Sequence, residues 1–117
     1  MRVKKQITLW QNLVTDGSEK KVIYVDDCDV LCIQISGTIT GTGTGFSFKG
    51  QVSAEAPFVD LAAINLSSLE VESEPIASAG IYEIGVEGLS NVKIEFNGTT
   101  SASDAICVYA KACSTGE

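Results

Sequence analysis

The chain has 117 residues, of which 44% are apolar and 20% are charged, and its net charge is −7 with an isoelectric point near 4.4. This length and apolar content suffice for the core of one domain and are not those of a disordered chain. The acidic balance argues against a nucleic-acid-binding surface. No run of residues approaches the roughly 20 apolar positions of a membrane helix or the apolar core of a signal peptide. We therefore expect neither nucleic acid nor membrane among the partners.

Charge is unevenly distributed along the sequence. Residues 1–21 carry five basic side chains against two acids, a net of +3, whereas residues 22–117 carry three lysines against thirteen acids, a net of −10. We divide the single domain, 1–117, into a basic segment at 1–21, an acidic body at 22–112 and a polar tail at 113–117. The basic segment is either a surface that pairs with an acidic neighbour or an edge strand whose lysines block unwanted pairing.

Short runs of alternating apolar and polar residues predict strands along the whole chain. In chain order the predicted strands are 6–10, 21–25, 30–36, 45–52, 58–64 (a strand or an irregular core segment), 66–74, 81–87, 92–96 and 104–112. Thr15-Asp16-Gly17-Ser18 and Asn97-Gly98-Thr99-Thr100 predict turns, and the Gly-Thr run 37–45 predicts a loop or hairpin tip.

The clearest alternation lies at residues 81–96. It predicts two antiparallel strands joined by a tight turn at Gly88-Leu89-Ser90-Asn91. Across the chain, the side chains predicted to face the core are Leu31, Ile33, Ile35, Phe46, Phe48, Tyr82, Ile84, Val86, Val92, Ile94, Phe96, Ile106, Val108 and Ala110. About eight or nine such strands without a helical period predict an all-β fold, namely one antiparallel β-sandwich or a closely related barrel.

The residues that usually carry chemistry are sparse. The chain has no histidine, which excludes the triads that use histidine as a base. The acid pairs Glu83/Glu87 and Glu70/Glu72 occupy outward strand positions and are interpreted as solvated side chains. The Gly-Thr run lacks the spacing, the lysine and the following helix of a phosphate-binding loop. We expect no catalytic residue, no cofactor and no enzyme activity.

Metal binding is also disfavoured by spacing. The acids at 26–29 form an acidic turn and do not match a calcium loop. The C-x3-C and C-x5-C spacings differ from those of zinc knuckles, and no disulfide scaffold is needed for a core of this size. We expect no metal and four free thiols, at Cys28, Cys32, Cys107 and Cys113.

A set of charged, polar and aromatic side chains is available for contact with another protein. For Trp10, burial in the core and exposure at an interface are both open, because a single indole serves either purpose. Tyr109 is predicted to lie on the outward face of the last strand. The candidate interaction residues are Arg2, Lys4, Lys5, Trp10, Lys20, Lys21, Thr42 and Tyr109.

Four segments in this order resemble a group of small β-sandwich structural proteins of tailed bacteriophages and prophages. They are Gly45-Phe46-Ser47-Phe48-Lys49-Gly50, Phe58–Asn65, Ala79–Ile94 and Val108–Ala112, and the resemblance as a whole covers roughly residues 30–112. The resemblance implies a non-enzymatic virion component of the capsid-decorating or head-fibre type, or a tail or baseplate accessory.

From this resemblance and the charge split we expect a capsid decoration protein. It would be made in the bacterial cytoplasm, form a homo-oligomer and bind other virion proteins, the major capsid protein above all. The alternative is a tail or baseplate accessory, or a receptor- or carbohydrate-binding module that uses exposed aromatic side chains.

Overall fold

The computed structural model describes residues 2–115, and this part of the chain forms ten strands and one short 3-10 helix at Ala102–Asp104. The strands are β1 (Arg2–Gln11), β2 (Thr15–Tyr24), β3 (Val30–Ser36), β4 (Gly45–Gln51), β5 (Val59–Leu61), β6 (Ala63–Asn65), β7 (Glu70–Glu72), β8 (Gly80–Gly85), β9 (Asn91–Thr100) and β10 (Cys107–Ser114).

The strands form two antiparallel sheets. The larger sheet has the order β1-β10-β3-β8-β6-β7, and the smaller has the order β2-β9-β4-β5. The predicted β-sandwich is therefore confirmed. The strand count rises to ten partly because the predicted segment 58–64 splits. Its first part, β5, pairs with β4, and its second part, β6, pairs with β8 in the other sheet.

The core lies between the two sheets and contains every side chain that was predicted to face inward. Its aromatic centre is Phe46, whose ring centroid lies 4.9 Å from that of Phe96 and 5.9 Å from that of Trp10. Burying one such side chain contributes about 1.5–3 kcal/mol to folding. Period-two alternation identified these side chains because, in a strand with one face buried, successive side chains point alternately toward the core and toward solvent.

The prediction that 81–96 forms a hairpin is wrong. Strand β8 pairs with β3 and β6, whereas β9 pairs with β2 and β4. The backbone between them crosses from one sheet to the other. Val86 N–H donates to Asp29 O at the end of the larger sheet, and Ser90 N–H donates to Gln51 O in the smaller sheet, each at 2.9 Å. These long-range bonds separate two strands that are adjacent in sequence.

The two turns predicted at 15–18 and 97–100 are also wrong, because both segments lie within long strands. They pair with each other, and Gly17 lies opposite Gly98 in the β2–β9 register. The chain reverses instead at 12–14, where Asn12 has a φ of 62°. Thr100 then holds the corner, since its Oγ1 donates to Leu13 O at 2.7 Å.

Two boundaries differ from the sequence prediction. The last strand runs to Ser114 and contains the buried Cys113, so the predicted tail at 113–117 begins inside β10. Gly116 and Glu117 of that tail lie outside the described residues, as does Met1 of the basic segment. The predicted boundary between the basic segment and the body, at residues 21 and 22, falls within β2.

Ser47 alternates with the inward-facing Phe46 and Phe48 along β4, which predicts an outward, solvent-facing position, but it is buried, with 4% of its surface exposed. The segment after β7 lies along the start of β4, where Phe46 and Ile76 exchange backbone hydrogen bonds of 2.9 and 2.8 Å. Ser47 consequently lines a recess of about 140 Å³ together with Glu74, Pro75 and Asn97. Ser47 is thus buried by a backbone segment from elsewhere in the chain, which the alternation within β4 does not predict.

Candidate interaction surfaces

The predicted basic residues lie on two edge strands. Strand β1 is one edge of the larger sheet and β2 is one edge of the smaller sheet. Lys4, Lys20 and Lys21 are exposed there, and so is Arg2 at the start of β1. The structure thus brings the basic segment to the side of the sandwich where β1 and β2 are joined.

Charged side chains on β2 disfavour the pairing of a further strand with this edge of the smaller sheet. Residues 16–22 are exposed, and the β2–β9 register has no shift along its length. Glu19 and Lys21 share the face of β2 that Ile23 buries in the core, because they alternate with it along the strand. Charges that point inward on an edge strand disfavour the addition of another strand. This edge is therefore suited to contact through side-chain charge.

Lys5 differs from the other predicted lysines because it is committed to an internal contact. Its Nζ donates to Tyr24 O at 2.6 Å and lies 5.0 Å from the centroid of the Tyr24 ring. The Tyr24 hydroxyl in turn donates to a carboxylate oxygen of Asp26. This bond lowers the pKa of Asp26 and, with the negative charge of Asp26, raises the pKa of Tyr24. Lys5 joins the two edge strands.

Trp10 lies in the core, with 9% of its surface exposed. Its strand shows a register shift between Thr8, which pairs with Tyr109, and Trp10, which pairs with Val108. The shift leaves Leu9 and Trp10 both buried, although alternation would place them on opposite faces. Of the two interpretations that the sequence left open for Trp10, the structure supports burial.

Thr42 is exposed in the loop between β3 and β4, within the turn that the bond from Thr44 N–H to Gly41 O closes at 3.3 Å. The loop does not form a hairpin, because β3 and β4 belong to different sheets. Two residues further on, Thr44 packs against Gly98 of β9. The loop therefore contacts the smaller sheet, whereas Tyr109 lies on β10 in the larger sheet.

Tyr109 lies in a cleft of about 450 Å³ on the outer face of the larger sheet. The register places Thr8 and Gln34 directly beside it on β1 and β3, and Ile81 beside Gln34 on β8. A second row, one step along the strands, is formed by Gln6, Lys111 and Cys32. The cleft is lined by Gln6, Ile7, Thr8, Cys32, Gln34, Ile81, Tyr109, Ala110 and Lys111.

Most side chains of this cleft were not singled out from the sequence. Gln6, Gln34 and Ile81 lie on three different strands, and only the order β1-β10-β3-β8 brings them around Tyr109. The available signal was their outward position in each alternating run. Without the strand order, an outward position does not distinguish a residue that lines a cleft from one on a flat, solvent-exposed surface.

The Cys32 thiol in this cleft has a raised pKa, which favours its neutral form. Burial, followed by the charge of Glu83, raises the pKa of Cys32. A hydrogen bond with Cys107 raises the pKa of Tyr109. All four cysteines are free. Within residues 2–115, no three Cys, Asp or Glu side chains come close enough together to hold a metal ion, and no helix is long and apolar enough to cross a membrane.

No protein-family model matches the chain, and no curated protein matches it by sequence. Solved structures share its fold. The SPBc2 prophage-derived protein YomS superposes with a TM-score of 0.72 at 16% identity, over 92% of this chain and 90% of YomS. The PBSX exported protein XepA superposes with a TM-score of 0.73 at 14% identity, over 92% of this chain. This chain spans 37% of XepA, little more than a third of its length.

A protein from Sulfurospirillum deleyianum superposes more loosely, with a TM-score of 0.50 at 6% identity over 97% of this chain and 99% of that protein. At these identities the likeness concerns the fold. YomS and XepA are prophage-derived, so this sandwich is one that phage proteins adopt.

Proposed function

We propose that this chain is a non-enzymatic virion protein that decorates a phage capsid. The observation that carries the proposal is the combination of a prophage-type sandwich with positive charge gathered along one side. Lys4, Lys20 and Lys21 are exposed on the joined edges β1 and β2, while the rest of the chain is acidic.

A capsid lattice offers the same contact many times over. A small cyclic oligomer that binds several lattice points at once gains affinity from multivalency, even when each contact is weak. Exposed lysines suit contacts of this kind because they attract acidic surfaces without requiring a deep interface. Such contacts weaken as salt is added, since the screening length falls to about 8 Å at physiological ionic strength.

The test is rebinding of the purified protein to capsids that lack it, measured by co-sedimentation at low and moderate salt. We expect saturable binding with a fixed number of copies per capsid and a lower affinity at the higher salt. An absence of binding at both salt concentrations would contradict the proposal.

A matched pair of variants tests which surface makes the contact. Lys21→Glu reverses a charge on the β2 edge, and Lys111→Glu makes the same change in the outer-face cleft. An exposed ion pair contributes about 0.2–1 kcal/mol, and several copies bind together, so we expect Lys21→Glu to weaken capsid binding severalfold. Lys111→Glu should leave it unchanged. Equal effects of the two variants would contradict the assignment to the edge strands.

A further inference from the structure

At the floor of the outer-face cleft the backbone groups are already paired, so a ligand there would be recognised by side chains. Strand β10 is paired on both sides, by β1 and β3, and β3 is paired on both sides, by β10 and β8. The backbone beneath Tyr109 and Gln34 is therefore engaged within the sheet. A peptide that binds by adding a strand would have to pair with the open edge of β1, at the rim of the cleft, and could not pair with the backbone beneath Tyr109.

The polar side chains around Tyr109 have unused hydrogen-bonding capacity. Gln6, Thr8 and Gln34 make no side-chain hydrogen bond to any other residue of 2–115. An amide offers both donors and an acceptor, and a hydroxyl offers both as well. A ligand with several neighbouring hydroxyl groups would match this set, because each hydroxyl also donates and accepts.

The Tyr109 ring supplies the apolar part of the cleft, together with Ile81. These two side chains are 38% and 42% exposed, although outer-face positions of a sandwich are commonly polar. An aromatic ring beside polar groups suits a ligand that is apolar on one face and polar at its rim. A pyranose ring has this character, since its C–H bonds form a face and its hydroxyl groups form the edge. The volume of about 450 Å³ lies in the range of small-molecule sites.

The charge of the lining side chains restricts the class of ligand further. Lys111 is the one basic side chain among the residues that line the cleft, and none of these residues is an acid. Lys111 makes no ion pair within residues 2–115. Glu83 lies two strands away in the same row, beyond Cys32, at about 10 Å given the usual spacing between strands. An unpaired ammonium group in a cleft attracts an anionic group on the ligand.

We propose that this cleft binds a saccharide that carries a carboxylate group. The Tyr109 ring stacks on the sugar, the Gln6, Thr8 and Gln34 side chains bond its hydroxyl groups, and the Lys111 ammonium pairs with its carboxylate. Gln6 and Thr8 belong to the basic edge strand β1, but Tyr109, Lys111 and Gln34 lie on the inner strands β10 and β3, so the site does not depend on the capsid-binding proposal.

The first measurement applies the purified protein to an array of oligosaccharides that contains uronic-acid sugars and their neutral counterparts. We expect binding to be concentrated on carboxylated members. The strongest of these is then titrated calorimetrically beside its methyl ester, in which a neutral ester group replaces the charged carboxylate. Esterification should weaken binding at least fivefold. No binding anywhere on the array, or equal binding of acid and ester, would overturn the proposal.

Variants locate the site. Tyr109→Ala should weaken binding of the array-selected acid at least tenfold, and Gln34→Ala severalfold, while circular dichroism shows an intact sheet. Tyr24→Ala, which removes an exposed tyrosine from the smaller sheet, should leave binding unchanged. Lys111→Met should abolish the preference for acid over ester. Unchanged binding in Tyr109→Ala would place the site elsewhere. Because Tyr109→Ala should still co-sediment with capsids, failure of one proposal is distinguishable from failure of the other.

Discussion

The side chain of Thr44 occupies the space that a Cβ atom on Gly98 would need. A Cβ built at Gly98 would lie 2.3 Å from Thr44 Cγ2, and Gly98 has a φ of 139°. The Gly-Thr loop between the two sheets is thus seated on β9 through a threonine that fits only against glycine. Gly17, directly opposite Gly98, has nothing within 4 Å of the equivalent position.

Gly98→Ala should therefore destabilise the fold, whereas Gly17→Ala should not. Forcing a methyl group into occupied space costs about 1–3 kcal/mol, and the left-handed backbone at Gly98 adds to the cost. Substitution at the open Gly17 should change the free energy of unfolding by less than about 0.5 kcal/mol. Urea denaturation of both variants measures this difference. Equal stabilities would show that Thr44 does not pack against β9.

Trp10 reports on the core because it is the chain's one tryptophan. Since it lies beside Phe46 and is nearly fully buried, its fluorescence should be blue-shifted in the folded protein and weakly quenched by acrylamide. Unfolding in urea should shift the emission to the red and expose it to the quencher. Strong quenching in the folded protein at low concentration, relieved only by self-association, would instead indicate an interface position.

Tyr24 and Asp26 should titrate as a linked pair. Asp26 has a lowered pKa, so the stability it contributes is present above about pH 4 and is lost as pH falls through its folded-state pKa. Tyr24 has a raised pKa, so its contribution is present below about pH 10 and is lost as pH rises through its folded-state pKa. Both groups are exposed, which keeps the contribution small.

Asp26→Asn should lower the pKa of Tyr24 toward its ordinary value, as followed by NMR of ring-labelled tyrosine. The matched control is Asp27→Asn, which removes an equal charge that is the smallest contributor to the shift of Tyr24. We expect the control to move the Tyr24 titration much less. Equal effects of the two variants would mean that general charge, and not the hydrogen bond, sets the pKa of Tyr24.

Tyr82 should be more sensitive to loss of its hydroxyl group than Tyr109. Tyr82 is fully buried, and its hydroxyl donates to Ser78 O at 2.7 Å. Tyr82→Phe should reduce the free energy of unfolding by about 0.5–1.5 kcal/mol, the usual net value of such a bond. Tyr109→Phe, at a partly exposed position, should change it by less than about 0.5 kcal/mol. Thermal or urea unfolding of the pair checks the order.

The sequence was informative wherever structure follows from local burial. Leu31, Ile33 and Ile35 alternate with half-buried or exposed residues, and β3 has the predicted bounds, Val30–Ser36. Partner choice was not predictable in this way. The pairing of β8 and β9 with different sheets depends on bonds from Ser90 to residues far away in sequence. Alternation is identical in a hairpin and in two strands that cross between sheets.

The positions of Gly98 and Trp10 show a second limit of prediction from the sequence. Asn97-Gly98 has the composition of a hairpin turn, yet Gly98 is required by the approach of Thr44 from another loop. Trp10 is buried because a register shift between β1 and β10 places it beside Leu9 in the core. The cleft around Tyr109 depends likewise on strand order. In each case the decisive contact is non-local.

The most direct test of the central claim is to locate the protein on phage particles by immunogold labelling or cryo-EM. The proposal predicts label or density repeated over the head at fixed lattice positions, and its loss from particles made without this protein. Label confined to the tail would contradict capsid decoration, and the absence of the protein from purified particles would contradict a virion role.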